Sequence, residues 1–417
     1  MPAPDTRKQE VSRRRVFYIP GYDPIHPRRY RELYRTESAA QAQISGYGIT
    51  LSARQGTARY GWNVKGLIDG AHVDASVDVL VWSDIVRSSM DTSIPATYAQ
   101  LLRTAWVYIA SGALWRLMRL RKGPVLAALY PVAMLLGQLA LSCMLALLVF
   151  RAVQAGVAWL IVLPGSLVGF LVGTAAALGV FVWLMRWFKA RDAKFFAYYL
   201  MHDYAYGAAT RGANTPLLEE RIAEFGDSIA QALASDVDEV LVVGHSSGAH
   251  LGVSVLADLI RAGRVPAQGP ALGFLTLGQV VPMVSFLPDA HRLRRDLADL
   301  SASDALAWVD VTAPGDGCAF ALCDPVSVSG VAPVNKRWPL VFSAAFTESL
   351  SPARWKALRW RFFRLHFQYM CAFDRPRDYD YFRITAGPIT LAGRYRDRPP
   401  SKSRIEKPVN KFTSMTP

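Results

Sequence analysis

Hydrophobic and polar residues alternate along the first part of the chain in the way that β-strands require. Val77, Val79 and Val81 recur at every second position, which predicts a strand with two distinct faces. An apolar run at residues 16–19 ends at a Pro-Gly turn and predicts a shorter strand, and residues 28–44 have the spacing of a helix. Further runs rich in β-branched and aromatic residues lie at 46–54, 58–67 and 76–84. This part of the chain is therefore predicted to be β-rich.

Strand and helix patterns alternate in the second half of the chain. Apolar residues recur at helical spacing from Leu218 to Leu233, a strand pattern follows at 240–243, and a helical pattern follows at 249–260. Three more strand patterns lie at 271–280, 305–314 and 339–346. Alternation of this kind predicts an α/β fold with a mostly parallel sheet and helices on both faces.

Two long stretches of the chain contain no charged residue. They cover residues 124–150 and 152–185, separated by Arg151, and the second contains a Pro-Gly break. A helix that spans a bilayer needs about 20 apolar residues. The pattern predicts a transmembrane hairpin with spans at about 125–150 and 166–188. The alternative, a buried core hairpin, is disfavoured because soluble core helices rarely run so long without a charge.

The hairpin divides the rest of the chain into parts. We expect an insertion at residues 116–194 within a domain made of residues 16–115 and 195–396. Residues 1–15 and 397–417 are basic, the latter also Pro-rich, and both are expected to be disordered. The first fifteen residues lack the apolar core of a secretory signal.

Positive charge lies outside the two spans rather than between them. Between the spans the sequence has one cation, Arg151. Since positively charged flanks stay in the cytoplasm, we expect both ends of this multi-pass anchor on the cytoplasmic side of the inner (plasma) membrane. Such flanks also suit anionic headgroups, so a lipid bilayer is an expected partner. The flanking cations are Arg116, Arg119, Arg121, Lys122, Arg186, Lys189, Arg191 and Lys194.

The net charge of +14 is compatible with nucleic acid or with an anionic membrane surface. The sequence has no zinc-finger spacing, no RNP-like aromatic motif and no P-loop, so nucleic acid is not an expected partner. The cysteines form no CxxC pair and no metal-ligand spacing, which predicts reduced thiols in a cytosolic compartment and no metal site. These cysteines are Cys143, Cys318, Cys323 and Cys371.

A serine stands where a strand pattern changes into a helix pattern. The run "VLVV" leads directly into Gly244-His245-Ser246-Ser247-Gly248, and apolar residues at helical spacing follow. G-x-S-x-G by itself has little specificity, and the alternative is a plain strand-to-helix turn. The strand–turn–helix context favours a nucleophile elbow, in which the turn lifts the Ser246 hydroxyl above the sheet.

At this corner the chain resembles the α/β-hydrolase family. More narrowly, "YIPGYDP", "GHSSGAHL", "HFQYM" and "YDYFRITAGP" are similar to a group of membrane-anchored bacterial hydrolases of unassigned substrate. The resemblance implies an α/β-hydrolase-like sheet and a serine, acid, histidine order along the chain. The hairpin is the departure, since it lies where a soluble member would have a helical connection.

That order implies an acid after a late strand. Asp316 follows the strand pattern of 305–314 in a loop flanked by glycines, which makes it the first candidate. Asp310 lies inside that strand pattern and Asp324 lies further along, so both rank below it. An acid at this place would orient the imidazole that activates the serine.

The base should follow the last strand. Of the histidines, His366 alone lies beyond the last strand pattern, and its alternative role is an aromatic neighbour of Phe362 and Phe367. The other histidines of interest are expected to be structural: His245 in the elbow, His250 on the next helix and His202 near the membrane.

The oxyanion hole of such a site uses two backbone N–H groups. The residue after the nucleophile, Ser247, supplies the first. The early loop "IPGYDP" supplies the second through Tyr22, with Gly21 leaving room, although a tight turn is the alternative reading of this loop. Asp84 is a minor candidate that more often would cap the next helix.

The function expected from these features is hydrolysis of a carboxylic ester or thioester through an acyl-Ser246 intermediate, and the membrane tether suggests a lipid-derived substrate. Neither a metal nor an organic cofactor is expected. Two alternatives remain open: an acyltransferase with the same triad, and a non-catalytic membrane scaffold that keeps the fold.

Overall fold

Eight strands form one mixed sheet in the computed structural model, which describes residues 10–54, 59–161 and 167–417. The strands are β1 (Arg13–Ile19), β2 (Gly48–Ala53), β3 (Gly61–Ile68), β4 (Ala71–Val79), β5 (Glu239–His245), β6 (Ala271–Leu277), β7 (Ala307–Thr312) and β8 (Leu340–Ser343). Their order in the sheet is β2-β3-β4-β1-β5-β6-β7-β8. The predicted α/β class with a mostly parallel sheet is therefore confirmed.

The parallel strands bring several carboxyl ends to one edge of the sheet. All neighbours pair in parallel except β2 with β3 and β3 with β4. β1 lies beside β5, with Ile19 opposite Gly244. Strands β5, β6 and β7 are buried along their whole length, as expected for apolar strands covered on both faces. Loops that follow β1, β5, β6 and β7 consequently start at the same edge.

Helices connect and cover the strands. In chain order they are α1 (Arg28–Ser45), α2 (Ser83–Met90), α3 (Ile94–Ala110), α4 (Ala113–Leu120), α5 (Lys122–Ile161), α6 (Leu167–Ala190), α7 (Asp192–Phe195), α8 (Ala197–Ala209), α9 (Pro216–Leu233), α10 (Gly248–Arg261), α11 (Val281–Ser285), α12 (His291–Ala302), α13 (Pro325–Val328), α14 (Phe346–Ser349), α15 (Pro352–Leu358), α16 (Phe362–His366), α17 (Tyr381–Ala386) and α18 (Leu391–Arg394). A 3-10 turn covers Gln368–Met370.

Helix α9 illustrates how the apolar period sets an element. Thr215 caps its amino end by accepting a hydrogen bond from the Leu218 N–H, and Pro216 occupies the first turn, where its missing N–H costs nothing. The apolar residues at helical spacing are buried, as the sequence predicts: Leu218, Ile222, Phe225, Ile229 and Leu233.

The chain divides into two compact units. Unit 1 consists of Met1–Ser88, Tyr108–Val125 and Thr210–Pro417, and unit 2 of Ser89–Val107 and Leu126–Ala209. Unit 2 does not coincide with the expected insertion at 116–194, which stays a prediction. Unit 2 contains more residues than the expected insertion because side chains distant in sequence pack into one apolar cluster. The spacing of apolar residues within one segment does not reveal such packing. The cluster contains Leu101, Leu135, Ala197, Tyr198, Met201 and Ala205.

Among the described residues, two helices are long and apolar enough to cross a membrane. The most apolar 18-residue window has a mean hydropathy of 2.3 in α5 and of 2.2 in α6. The ring of Phe150 packs on Phe170 with centroids 5.9 Å apart, and the Tyr130 hydroxyl donates to the Phe195 carbonyl at 2.7 Å.

The residues that directly follow the first predicted span, at about 125–150, are helical instead of forming a connection. Helix α5 continues through Arg151 to Ile161, because arginine ends an apolar run without ending a helix. Residues 162–166, which include the predicted Pro-Gly break and the predicted start of the second span, lie outside the described residues.

The C-terminal residues 397–417 are ordered, contrary to the disorder expected from their composition. The Ile405 N–H donates to the Leu322 carbonyl at 2.7 Å, and the Ile405 carbonyl accepts from the Asp324 N–H at 2.9 Å. The Asn410 side chain donates to the Ser285 carbonyl at 3.0 Å. Composition misses these contacts because their partners lie far away in sequence.

The prediction of a disordered N-terminus is also wrong for residues 10–15. Residues 13–15 already belong to β1, and Arg14 is buried in an ion pair with Glu239 at 2.6 Å. A buried guanidinium paired in this way keeps its charge compensated, so a basic run can enter a sheet. Residues 1–9 lie outside the described residues.

Candidate active site

Ser246 stands on a strained corner between β5 and α10. Its backbone φ is +56°, in the left-handed region that residues other than glycine rarely adopt. The Ser246 N–H donates to the Leu277 carbonyl at 2.9 Å, and the Ser246 carbonyl accepts from the Ala249 N–H at 3.1 Å. Such a conformation costs on the order of 1–3 kcal/mol and persists where surrounding contacts hold it. Its side chain remains partly exposed.

Close backbone contacts at this corner require glycine. A Cβ added to Gly248 would lie 2.1 Å from the Ile19 carbonyl oxygen, and one added to Gly244 would lie 2.7 Å from the Gly248 oxygen. Both distances are far below van der Waals contact. The glycines of the G-x-S-x-G run therefore let α10 begin directly against the carboxyl end of β1.

Ser247 occupies the N-cap position of α10, a helix of 14 residues, and its side chain makes no capping hydrogen bond. The first N–H groups of a helix lack partners within the helix, and the helix dipole adds positive potential at this end. An anion that develops beside Ser246 would lie next to these N–H groups.

Asp316 and His366 are brought together although 50 positions separate them in sequence. Asp316 lies in the loop after β7 and is buried, as is His366 at the end of α16. His366 Nδ1 lies 2.7 Å from Asp316 Oδ2. Because a carboxylate accepts, the geometry assigns the proton to Nδ1 and leaves the lone pair on Nε2.

A third side chain, Tyr369, fixes the carboxylate. Its hydroxyl donates to Asp316 Oδ2 at 3.0 Å and accepts from the Ala313 N–H at 3.0 Å, while the Cys318 N–H donates to Asp316 Oδ1 at 2.9 Å. No sequence pattern predicted this role for Tyr369. The sequence feature that could have indicated this role is the position of Tyr369 three residues after His366. Side chains at this spacing can face the same loop.

The surroundings of Asp316 keep it ionised. Burial acts to raise the pKa of this carboxyl. The His366 imidazole and the three hydrogen bonds from His366, Cys318 and Tyr369 act in the opposite direction and hold the pKa below its ordinary value. Asp316 is therefore a carboxylate at neutral pH.

The Ser246 and His366 neighbourhoods meet at the end of β6. Ser246 bonds to the carbonyl of Leu277, and a Cβ added to the next residue, Gly278, would lie 3.0 Å from His366 Cε1. Only a residue without a side chain leaves space for the imidazole there. The strand ends thus bring serine, acid and histidine to one edge of the sheet.

His245 anchors the backbone that carries His366. Its Nε2 lies 3.0 Å from the His366 carbonyl oxygen, so Nε2 carries a proton, and the two imidazole centroids are 4.7 Å apart. Burial first, and then the neighbouring His366, lowers the pKa of His245 to about 3. The neutral His245 is therefore a positioning residue for His366. This role is more specific than the structural one expected from the sequence.

The early loop after β1 approaches the serine closely. A Cβ added to Gly21 would lie 3.0 Å from Ser246 Cβ and 3.4 Å from its Oγ. The Trp82 indole N–H donates to the Pro20 carbonyl at 2.9 Å, and the Tyr22 ring meets Trp82 edge-on. Gly21, which directly precedes Tyr22, therefore lies beside the serine, and the Trp82 indole holds the loop at Pro20. No sequence pattern predicted this role for Trp82.

Asp23 closes the same loop. Its carboxylate accepts from the Ile25 N–H at 3.0 Å and from the Tyr30 hydroxyl, and it pairs with Arg29 at 2.9 Å. These contacts explain the residue order in "PGYDP": Gly21 faces Ser246, and the hydrogen bonds and ion pair of Asp23 stabilise the turn.

The other acidic candidates have separate partners. Asp310 is buried in β7 and bonded to Thr276, and burial raises the pKa of its carboxyl to about 8. Asp324 caps α13 and pairs with Lys336 at 2.6 Å. Asp84 forms two hydrogen bonds with Arg221, which lower its pKa to about 2.

Two other histidines expected to be structural have surroundings of their own. His250 is on α10, and burial lowers the pKa of its imidazole to about 4. His202 belongs to unit 2, where its Nε2 lies 3.5 Å from Thr92 Oγ1.

The described residues contain one group with the donor atoms of a metal site, namely Asp316, Cys318 and His366, whose ligand atoms lie within 4.8 Å of one another. Two of these atoms, Asp316 Oδ2 and His366 Nδ1, are already hydrogen bonded to each other. The geometry is thus that of a carboxylate orienting an imidazole. All four cysteines are free thiols.

Comparison of the chain with known protein families, with curated proteins and with solved structures gives no match. The evidence for the chemistry of the site therefore comes from its own residues. They are a serine on a strained corner, an imidazole held by a buried carboxylate, and a helix amino end beside the serine.

Proposed function

We propose that the protein is a membrane-tethered serine hydrolase of the α/β-hydrolase type, which cleaves a carboxylic ester or thioester through an acyl-Ser246 intermediate. The observation that carries this proposal is the buried hydrogen bond between Asp316 and His366, at the sheet edge where Ser246 occupies its strained corner. A serine hydroxyl becomes a strong nucleophile only when an oriented base takes its proton.

Acylation proceeds in two bond changes. Ser246 Oγ attacks the acyl carbon while His366 Nε2 takes the hydroxyl proton, and Asp316 stabilises the imidazolium that forms. The tetrahedral intermediate then expels the alcohol or thiol, which leaves with the proton from His366. The acyl group remains on Ser246 as an ester.

Deacylation repeats these steps with water. His366 takes a proton from the water that attacks the acyl-Ser246 carbonyl, and the carboxylic acid leaves as Ser246 recovers its proton. In both halves the N–H groups of Ser247 and Tyr22 donate to the oxyanion, next to the amino end of α10. The close approach of Gly21 to Ser246 supports this use of the early loop.

The two apolar helices are proposed to anchor the enzyme in the membrane. The uncharged residues 124–150 would cross the hydrocarbon, and Arg151 would then lie at the far headgroup region, beyond which α5 continues to Ile161. The Phe150–Phe170 and Tyr130–Phe195 contacts fit a hairpin of antiparallel helices. The excess of cations outside the spans favours unit 1 on the cytoplasmic side.

Single cysteines test this topology. Tyr60→Cys and Ala155→Cys are placed in a chain whose native cysteines are replaced, and a membrane-impermeant thiol reagent is added outside intact cells. Reaction at residue 155 alone is expected. Equal reaction at both residues would refute the orientation.

Hydrolysis of p-nitrophenyl esters and acyl-CoA thioesters by the detergent-solubilised chain tests the chemistry. Ser246→Ala should lower kcat by on the order of 10³-fold or more, because the nucleophile is lost. Ser247→Ala is the matched control, since it removes a neighbouring hydroxyl but keeps the backbone N–H. Equal losses in the two variants, or full activity without Ser246, would overturn the proposal.

A further inference from the structure

An exposed run of aromatic and basic residues directly precedes His366. Residues 359–364, which read Arg-Trp-Arg-Phe-Phe-Arg, are all exposed, and we name them the aromatic-basic segment. The exposed fractions are 72% for Trp360, 49% for Phe362 and 37% for Phe363. Single exposed apolar side chains are common on proteins, but a contiguous group indicates a surface that something covers.

The aromatic-basic segment is fixed to the loop that holds Asp316. A Cβ added to Gly317 would lie 3.3 Å from the Phe362 ring, and one added to Gly315 would lie 2.6 Å from the Trp355 ring of the preceding helix, α15. The two glycines flank Asp316 in sequence. Any surface that holds the segment would therefore also hold the acid loop and the helix that ends in His366.

The first turn of α5 meets the same loop. A Cβ added to Gly123 would lie 3.2 Å from the Gly317 carbonyl oxygen, and the Arg121 side chain donates to the Ala321 carbonyl at 2.7 Å. Phe362 and Gly123 thus both contact Gly317. Phe362 therefore lies close to the first turn of α5, directly before the uncharged residues 124–150.

The charges of the segment are available to an anionic surface. Among the described residues, Arg359, Arg361 and Arg364 have no carboxylate within ion-pair distance. The guanidinium of Arg359 instead lies over the Trp360 ring, at 5.5 Å. Arginine next to tryptophan and phenylalanine is the composition of segments that lie in the headgroup region of membranes.

We propose that the aromatic-basic segment docks on the anionic surface of the bilayer that holds α5 and α6. Trp360, Phe362 and Phe363 would lie at the boundary between headgroups and acyl chains, and the three arginines would contact lipid phosphates. This inference rests on the proposed function. It adds that the substrate is an amphiphile presented by the membrane, whose acyl group enters the site from the lipid side.

The position of the segment is measured with a fluorescent probe. In a chain without native cysteines, Trp360→Cys and, as a control, Val334→Cys are labelled with an environment-sensitive nitrobenzoxadiazole. Val334 is fully exposed and precedes the amino end of β8, whereas the site lies at the carboxyl ends of the strands. Both chains are reconstituted in vesicles of phosphatidylcholine with phosphatidylglycerol. A blue shift and quenching by brominated lipid are expected at residue 360 and not at residue 334.

The possible failures are distinguishable. A chain that does not float with vesicles would refute the tether and this inference together. A chain that floats but gives the same emission at residues 360 and 334 would overturn this inference alone. A blue shift at residue 360 in detergent without lipid, rising with protein concentration, would mean that a second copy covers the segment, and would also overturn it.

Activity provides a second measurement that needs no labelling. Trp360→Ser combined with Arg359→Gln, Arg361→Gln and Arg364→Gln should lower hydrolysis of a long-chain ester in anionic vesicles about tenfold or more, and leave a soluble short-chain ester within about twofold. The control replaces three exposed cations elsewhere, Arg337, Lys402 and Lys407, by glutamine, which gives the same loss of charge. Equal effects on both substrates, or equal effects of both variants, would contradict the proposal.

Discussion

The Nδ1 atom of His366 lies 2.7 Å from the Oδ2 atom of Asp316 inside the protein, 50 positions apart along the chain. Asp316 lies in the loop after β7, whereas His366 is the last residue of α16. This contact leaves Nε2 of His366 as the atom able to take a proton, and it is the basis of the first prediction.

Asp316 and His366 should act as one unit with Ser246. His366→Ala should lower kcat by on the order of 10³-fold or more, since the serine loses its base. Asp316→Asn should lower it somewhat less, because an imidazole without its acid retains part of its function. The double variant should be little worse than His366→Ala alone. Losses that multiply, or near-normal rates in a folded single variant, would mean that the acid or the base lies elsewhere.

Tyr369 should position Asp316 without taking part in bond changes. Tyr369→Phe keeps the ring but removes one hydrogen bond to the carboxylate, and kcat should fall about tenfold. Because that hydrogen bond favours the ionised carboxylate, its loss should also move the acid limb of the kcat/KM profile to higher pH.

The matched control for this change is Tyr379→Phe. The Tyr379 hydroxyl is also buried, but it donates to the Tyr369 carbonyl at 2.7 Å rather than to Asp316. It should cost similar thermal stability and leave the pH profile in place. An acid limb that moves equally in both variants would show that Tyr369 acts only through packing.

The neutral imidazole of His245 should make the fold sensitive to acid. The pKa of His245 is about 3 in the folded chain and ordinarily 6.5. Below pH 6.5 the unfolded chain binds a proton there that the folded chain does not, so stability falls by about 1.4 kcal/mol per pH unit, down to about pH 3. Above pH 6.5 the residue contributes no pH dependence.

His245→Gln checks this prediction, because glutamine can still donate to the His366 carbonyl but does not titrate. Thermal unfolding is followed in detergent between pH 7 and pH 4.5. The variant should lose less stability than the original chain over this interval. Parallel losses would mean that His245 is protonated in the folded state.

Gly21 should be required for the approach of the early loop to the serine. In Gly21→Ala the new Cβ would lie 3.0 Å from Ser246 Cβ, so the loop must shift by a few tenths of an ångström. If the loop donates to the oxyanion, kcat should fall on the order of 10²-fold, with little change in KM. In Gly48→Ala, the control, the nearest atom would lie at an ordinary 3.5 Å and activity should be unchanged. Equal rates in the two variants would remove the early loop from the oxyanion hole.

The sequence predicted a helix where apolar residues recur at helical spacing over many positions. It predicted a strand where a short run is wholly apolar. The spacing from Leu218 to Leu233 predicted α9, and "VLVV" predicted β5 with the corner after it. Asp316 and His366 were chosen from the residue order that the resemblance to α/β-hydrolases implies, and parallel strands that end at one edge predicted that they would meet.

Other features depend on contacts that no local pattern contains. The hydroxyl of Tyr369 and the indole of Trp82 have roles only because distant loops lie beside them. The tail was expected to be disordered because its composition does not reveal that Ile405 meets Leu322. The first span was expected to end at about residue 150 because Arg151 interrupts the uncharged run, whereas α5 continues to Ile161.

Labelling of Ser246 by a fluorophosphonate is the most direct test of the proposed chemistry, because the probe reacts with a serine that a neighbouring base activates. The detergent-solubilised chain is treated with the probe, and the modified peptide is identified by mass spectrometry in the original chain, in Ser246→Ala and in Ser247→Ala. The proposal predicts an adduct on Ser246 in the original chain and in Ser247→Ala, and none in Ser246→Ala. An adduct on another residue, or labelling that survives Ser246→Ala, would contradict it.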